Sequence, residues 1–259
     1  MRKSCKSCGH HWFWHLSDGR SKCRRCGLRQ SFRSVWQSCR LSEASKCKLL
    51  ECFVFGVPAY RLRFRGPAST EATERFFLLI RQTMALLESC QEPLDGTIEC
   101  DESSFGGHRK GRRGWGAAGK TLVFGILKRN GVVRVFAVDD RQKATLLPLI
   151  EAHTAQGCLY YKGCLYYTDE YSAYASLKVR GDHVIVTKDK GRPKGRDHIN
   201  GIEGFWSYAK NWLYMYRGVP KKFFHLYLAE TSFRFNHREQ DLYPLLYKAL
   251  RQIDVSKLK

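Results

Sequence analysis

Three carboxylates occupy settings that suit the binding of hard divalent cations. Asp101 lies in the strand-like run Thr97-Ile-Glu-Cys-Asp-Glu-Ser103. Asp169 closes a second such run, Leu165-Tyr-Tyr-Thr-Asp169, and Glu203 opens the amphipathic stretch His198–Lys210. Mg²⁺ prefers oxygen ligands, and two such ions ~3.5–4 Å apart can activate a nucleophile and stabilise the leaving 3′ oxygen of a phosphodiester. Each residue also has a plainer reading. Asp101 could be a solvated strand position, with Glu99 on the same face and Glu102 next door as competitors. Asp169 could cap a following helix, and Glu203 could belong to a solvated helix face. Asp139 and Asp140 end a strand-like run and read as turn residues.

The stretch around Glu203 separates into two faces. Asn200, Glu203, Ser207 and Lys210 share one by steps of three and four, and Ile202, Phe205, Trp206 and Ala209 form the apolar side. Lys210 is two turns beyond Glu203, ~10 Å along a helix axis, within reach of a neighbouring phosphate. His198 and Asn200 sit where a helix begins, suited to DNA contact, metal-water contact or capping. Two Gly-rich basic loops flank the centre. One carries Arg109, Lys110, Arg112 and Arg113 beside Trp115; the other carries Lys194 and Arg196 just before the helix. Glycine permits close approach to a backbone, and clustered cations release counterions from nucleic acid. Neither a P-loop nor a dinucleotide fingerprint is present.

These residues need elements to hold them. Strand-like runs appear at 97–103, 121–128 and 132–138, the last two joined through Asn130-Gly131, a hairpin signal. A helix at about 142–155, the strand ending at Asp169, a short helix near 171–178, a strand at 183–187 and a long helix from about 197 to 214 follow. Three strands, helix, strand, helix, strand, helix is the order of the ribonuclease H-like α/β fold, with a mixed five-stranded sheet, and it puts Asp101 on the first, central strand and Asp169 on the fourth. A final aromatic helical block spans about 221–252. The near-repeat Cys158-Leu-Tyr-Tyr and Cys164-Leu-Tyr-Tyr is too short for a solenoid and has no assigned role.

Upstream, Cys5-x-x-Cys8 and Cys23-x-x-Cys26 stand fourteen residues apart, the spacing of a zinc ribbon, with Gly9 and Gly27 following each pair. Four thiolates would close a structural Zn²⁺ site. Residues 40–92 read as two helices, Ser42–Phe55 and a second opening at Ser69-Thr70, around a break carrying Arg61, Arg63 and Arg65. That pattern fits a helix-turn-helix reader or a helical linker. The expected divisions are a zinc ribbon at 1–36, a helical segment at 37–93, an α/β catalytic domain at 94–240 and a helical tail at 241–259.

Composition agrees with a polyanionic partner: 45 Lys plus Arg against 24 Asp plus Glu give a net charge of +21. Neither an apolar leader at the start nor a bilayer-length apolar run is present. Of eleven cysteines, the seven outside the paired motifs scatter irregularly, as reduced thiols in a cytosol would. This predicts an intracellular protein with no membrane partner.

The runs Ile98–Ser103 with Phe105-Gly-Gly, Tyr167-Thr-Asp-Glu-Tyr171 and His198-Ile-Asn-Gly-Ile-Glu-Gly-Phe-Trp206 resemble those of bacterial insertion-sequence transposases of the DDE class, in particular the ISXO2-like group with an N-terminal zinc ribbon. The resemblance covers about residues 95–240, and the Glu203-x₆-Lys210 spacing fits it. It implies Asp101, Asp169 and Glu203 as a triad for two Mg²⁺ or Mn²⁺ ions and Lys210 as a DNA contact beside the cleavage site. It also implies terminal inverted repeats and target DNA as partners, a homo-oligomer on paired ends, and residence on the bacterial nucleoid. The competing expectations are a non-catalytic zinc-ribbon regulator or inactive remnant, and a resolvase-like nuclease that cuts without joining.

Overall fold

The computed structural model describes residues 4–18, 20–106, 120–155, 164–168, 181–186, 198–216 and 218–258. The chain forms two compact units, residues 1–87 with 239–259, and residues 88–238.

The first unit opens with three short antiparallel strands, β1 (Phe13–His15), β2 (Ser21–Cys23) and β3 (Arg29–Gln30), in that spatial order. Helices α1 (Val35–Ser38), α2 (Glu43–Val54) and α3 (Thr70–Ser89) follow, the last ending just inside the second unit. Side-chain caps start these helices: Ser42 Oγ accepts from Ser45 N–H at 3.1 Å, and Ser69 Oγ from Ala72 N–H at 3.3 Å. Fifteen residues separate α2 from α3, including a 3₁₀ turn at Ala59–Leu62, whereas a helix-turn-helix pair uses a turn of three or four.

The C-terminal helix α7 (Leu242–Gln252) packs on α1 and α2. Trp36 stacks edge-on against Tyr247 at 5.1 Å, its indole N–H donates to Glu43, and Glu43 also pairs with Arg251. The tail expected at 241–259 therefore supplies one wall of the N-terminal core.

The second unit is a mixed α/β layer. Strands β4 (Thr97–Phe105), β5 (Thr121–Lys128), β6 (Val133–Val138), β7 (Cys164–Thr168) and β8 (Gly181–Ile185) form one sheet in the order β6-β5-β4-β7-β8. The first three are antiparallel neighbours, and β4, β7 and β8 run parallel. The β5–β6 connection turns at Asn130, whose φ of 56° is the left-handed value that an Asn-Gly hairpin needs.

The two faces of the sheet have separate cores. Ile98, Cys100, Phe124, Ile126 and Tyr166 pack with Leu146 and Ile150 of α4 (Lys143–His153). Val123, Leu127, Val133 and Tyr167 pack on the other face, with Ile202, Phe205, Trp206 and Ala209 of α5 (Asn200–Tyr214) and Leu228 of α6 (Phe224–Asn236). The period-two alternation of the strands sends each residue to one core or the other, and the 3.6-residue stripe of α5 seats it lengthwise on its face. The helix expected near 171–178 and the end of the strand expected at 183–187 lie outside the described residues.

Candidate metal and nucleic-acid site

Strand β4 is unusual for a central strand because Glu99, Asp101 and Glu102 are all buried in it, at 1%, 9% and 4% exposure. A buried carboxylate is costly unless charged or N–H groups satisfy it. Glu102, on the α4 face, pairs with Arg141 at 3.2 Å. Glu99, on the α5 face, accepts from Arg129 Nε at 2.7 Å and from the backbone N–H of Ile202 at 2.8 Å. That second bond caps α5 from outside, because its N-cap residue Ile199 makes no side-chain cap of its own. Arg129 also donates to the carbonyl of His198 and lies over the Tyr167 ring at 3.9 Å. Glu99 is thus committed to seating the head of α5.

Asp101 shares the face of Glu99 one step along the strand. Its Oδ2 accepts from the indole Nε1 of Trp206 at 3.1 Å. This bond depends on Gly125, the residue paired with Asp101 across β4 and β5. A Cβ at Gly125 would lie 2.7 Å from two ring carbons of Trp206 and 3.0 Å from Ile202 Cδ1, so only a bare backbone lets the indole lie this close to the sheet.

Glu203 is exposed, three residues before Trp206 on α5. Residues three apart on a helix are surface neighbours, so Glu203 stands beside the side chain that reaches Asp101. Asn200, Ser207 and Lys210 are exposed with it, while Ile202, Phe205, Trp206 and Ala209 are buried, the division expected from their spacing. Lys210 Nζ lies 5.7 Å from the Phe105 ring centroid at the end of β4. His198 is half-buried, with Nδ1 4.0 Å from Glu99 Oε1 and 3.4 Å from the backbone N of Asn200, so it braces the start of the helix. Asp169, Arg109, Lys110, Arg112, Arg113, Lys194 and Arg196 lie outside the described residues.

In the sequence, periodicity assigns Trp206 to the apolar side of its helix, and Glu99 stands as a rival of Asp101 on the same strand face. A glycine inside a strand, Gly125, was the signal for a close approach. Nothing local distinguishes the two carboxylates, because Arg129 and α5 reach Glu99 from distant parts of the chain.

In the first unit the sulfurs of Cys5, Cys8, Cys23 and Cys26 all lie within 4.8 Å of one another, with Cys5–Cys26 at 3.4 Å and Cys8–Cys23 at 3.6 Å. A tetrahedral ion with ~2.3 Å bonds to sulfur needs sulfur separations of about 3.8 Å, so the cluster has the right size. Gly9 and Gly27 take φ of 70° and 75°, letting each knuckle fold back with its N–H on the first cysteine's carbonyl at 3.0 Å. The backbone N–H of Cys8 aims at the Cys5 sulfur and holds its thiol down to about 6. The backbone N–H of His10 favours the Cys8 thiolate, but burial and the adjacent sulfurs outweigh it and push Cys8 up to about 11. One thiolate therefore opposes the next, the conflict a dication would relieve.

The ISXO2-like transposase domain matches residues 93–236, more than half of the chain. An uncharacterized transposase-like protein of Haemophilus influenzae is 34% identical over 108 residues, 41% of this chain and 83% of that protein. A chain of the simian T-cell lymphotropic virus intasome, solved with the PP2A regulatory subunit B56 gamma, aligns at 14% identity with a TM-score of 0.33. The alignment covers 71% of this chain and 65% of that one, and so low a score carries no argument about fold. Among the described residues, no helix is long and apolar enough to cross a membrane.

Proposed function

The chain belongs to the ISXO2-like family of insertion-sequence transposases, and from that premise we propose that it cuts and joins DNA ends with Asp101, Asp169 and Glu203 as its metal-holding triad. The observation that carries this reading is the Trp206–Asp101 hydrogen bond, which ties the helix bearing Glu203 to the central strand bearing Asp101. Strand β7 runs parallel beside β4 with Tyr167 in register with Glu99. In sequence, Asp169 stands two residues after Tyr167 as Asp101 stands two after Glu99, which supports its place in the set. The mixed five-strand order and the helices on both faces support a ribonuclease H-like catalytic domain over about 94–240.

The residues suit the ions. All three offer hard oxygen, the ligand that Mg²⁺ prefers. When bound, two Mg²⁺ or Mn²⁺ ions would activate the attacking oxygen and stabilise the leaving 3′ oxygen. Trp206 orients the Asp101 carboxylate through Oδ2. Lys210, two turns along the exposed face from Glu203, meets a phosphate next to the one being cut. Asn200 and the loops with Arg109, Lys110, Arg112, Arg113, Lys194 and Arg196 line the DNA path, and His198 positions the helix that carries Glu203. The four-cysteine cluster holds structural Zn²⁺ in a zinc ribbon at 1–36, and the helical segment at 37–93 adds DNA contacts. The protein works on terminal inverted repeats and target DNA as a homo-oligomer in the bacterial cytoplasm.

The test is strand cleavage and joining on linear DNA carrying the element's own ends. The expected result is Mg²⁺- or Mn²⁺-dependent release of a 3′ hydroxyl followed by its joining to target DNA, abolished in Asp101→Ala. DNA binding without cleavage would assign the chain to regulation, and cleavage without joining to resolution of junctions.

A further inference from the structure

The exposed face of α5 does not end at Lys210. It continues to Tyr214, eleven residues or about 16 Å beyond Glu203 at 1.5 Å per residue. There it borders a groove of about 610 Å³ within the second unit, formed by the end of β4, the start of β5, the last turns of α5 and residues 218–224. That volume is within the ~300–1,000 Å³ of small-ligand sites. Its described lining has two opposed chemistries. Phe105, Tyr214 and Phe224 give aromatic surface, with the Phe105 and Phe224 rings 5.9 Å apart. Lys210 and Lys221 are the charged groups among the described lining residues, and both are exposed. Tyr214 is 73% exposed, a large aromatic surface left to solvent beside the groove.

Flat aromatic surface beside paired cations, with acidic groups missing from the described lining, suits a nucleotide: the base stacks and the phosphates meet ammonium groups. A fully stacked duplex hides its base faces, so the ligand is an unpaired or extruded base. We propose that this groove binds one unstacked nucleotide of the DNA strand adjoining the cleaved phosphate, with its base against Tyr214 and its phosphates between Lys210 and Lys221. The proposal rests on the transposase reading and adds to it a single-strand subsite that begins at Lys210 and reaches Tyr214, about 16 Å along α5 from Glu203. Extruding a base costs a few kcal/mol, least at an end or a nick, which is where a strand-cutting enzyme works.

The experiment uses the full chain without divalent cations and a DNA duplex with a short single-stranded tail containing 2-aminopurine. The wild type is expected to quench the tail fluorescence saturably. Tyr214→Ala should weaken tail binding about 5- to 140-fold, the range of one aromatic stacking contact, and Tyr214→Phe should restore it. Both variants should bind fully paired duplex like the wild type. Equal tail binding by wild type and Tyr214→Ala, or an unquenched tail, would overturn the proposal. So would loss of self-association in Tyr214→Ala with unchanged DNA binding, which would give the groove to a second copy of the chain. Metal-dependent cleavage measured on the same preparation separates the two claims. Cleavage without Tyr214-dependent quenching removes the groove alone; quenching without cleavage removes the transposase reading and leaves a single-strand site.

Discussion

The indole N–H of Trp206 donates to the carboxylate of Asp101 across 3.1 Å, linking helix α5 to the central strand of the sheet. Asp101 is 9% exposed and Trp206 is buried, so the bond is shielded from competing water. Trp206→Phe keeps most of the ring packing and removes the donor. The expected cost is about 1–3 kcal/mol in chemical denaturation, the penalty of an under-satisfied buried acceptor. Cleavage or metal affinity should fall about 10- to 100-fold, as for groups that orient a metal ligand. Unchanged activity would mean that the orientation of Asp101 does not depend on this bond.

Gly125→Ala tests the same joint from below. The added methyl would stand 2.7 Å from the Trp206 ring and 3.0 Å from Ile202, with the sheet on its other side. Overpacking of this kind costs about 1–3 kcal/mol. The shift of α5 should reduce activity beyond the loss of stability, measured at a temperature where the variant remains folded. A variant as stable and active as the wild type would refute the close approach.

The strand order was legible from the order of the element types, the hairpin from the Asn130-Gly131 pair, and the seating of α5 from the spacing of Ile202, Phe205, Trp206 and Ala209. Partnerships set at long range were not. Glu99 and Asp101 look alike in sequence, and only Arg129 and the head of α5 show that Glu99 seats a helix. Glu43 and Arg251 are likewise paired from opposite ends of the chain, with no motif to announce it. Trp206 read as an apolar residue because periodicity carries the burial of its ring and says nothing of its N–H.

Stability should fall as pH rises from about 4.5 to 7. Burial pushes the Glu88 carboxyl up to about 7, against the pull of Asn236, Arg134 and Gln91; His237 Nε2 also lies 4.0 Å from Glu88 Oε1. In that window the folded chain keeps the Glu88 proton and the unfolded chain has lost it, so the unfolded state binds fewer protons and each step up in pH disfavours folding. The effect is at most about 3 kcal/mol. Denaturation midpoints across this range should show the slope in the wild type and a flatter one in Glu88→Gln. An equal slope in both would assign it to other groups.

Cys23→Ser should lose bound zinc, measured by metal analysis of the purified chain, and weaken binding to element ends. The core of residues 88–238 should keep its denaturation transition, because the four sulfurs belong to the other compact unit. Loss of that transition would contradict the modular division.

The most direct test is an anomalous difference map from crystals soaked in Mn²⁺. The account predicts density liganded by oxygens of Asp101, Asp169 and Glu203, lost in Asp101→Asn. Mn²⁺ bound elsewhere, or these three carboxylates too far apart to share ions even with a DNA end bound, would contradict it.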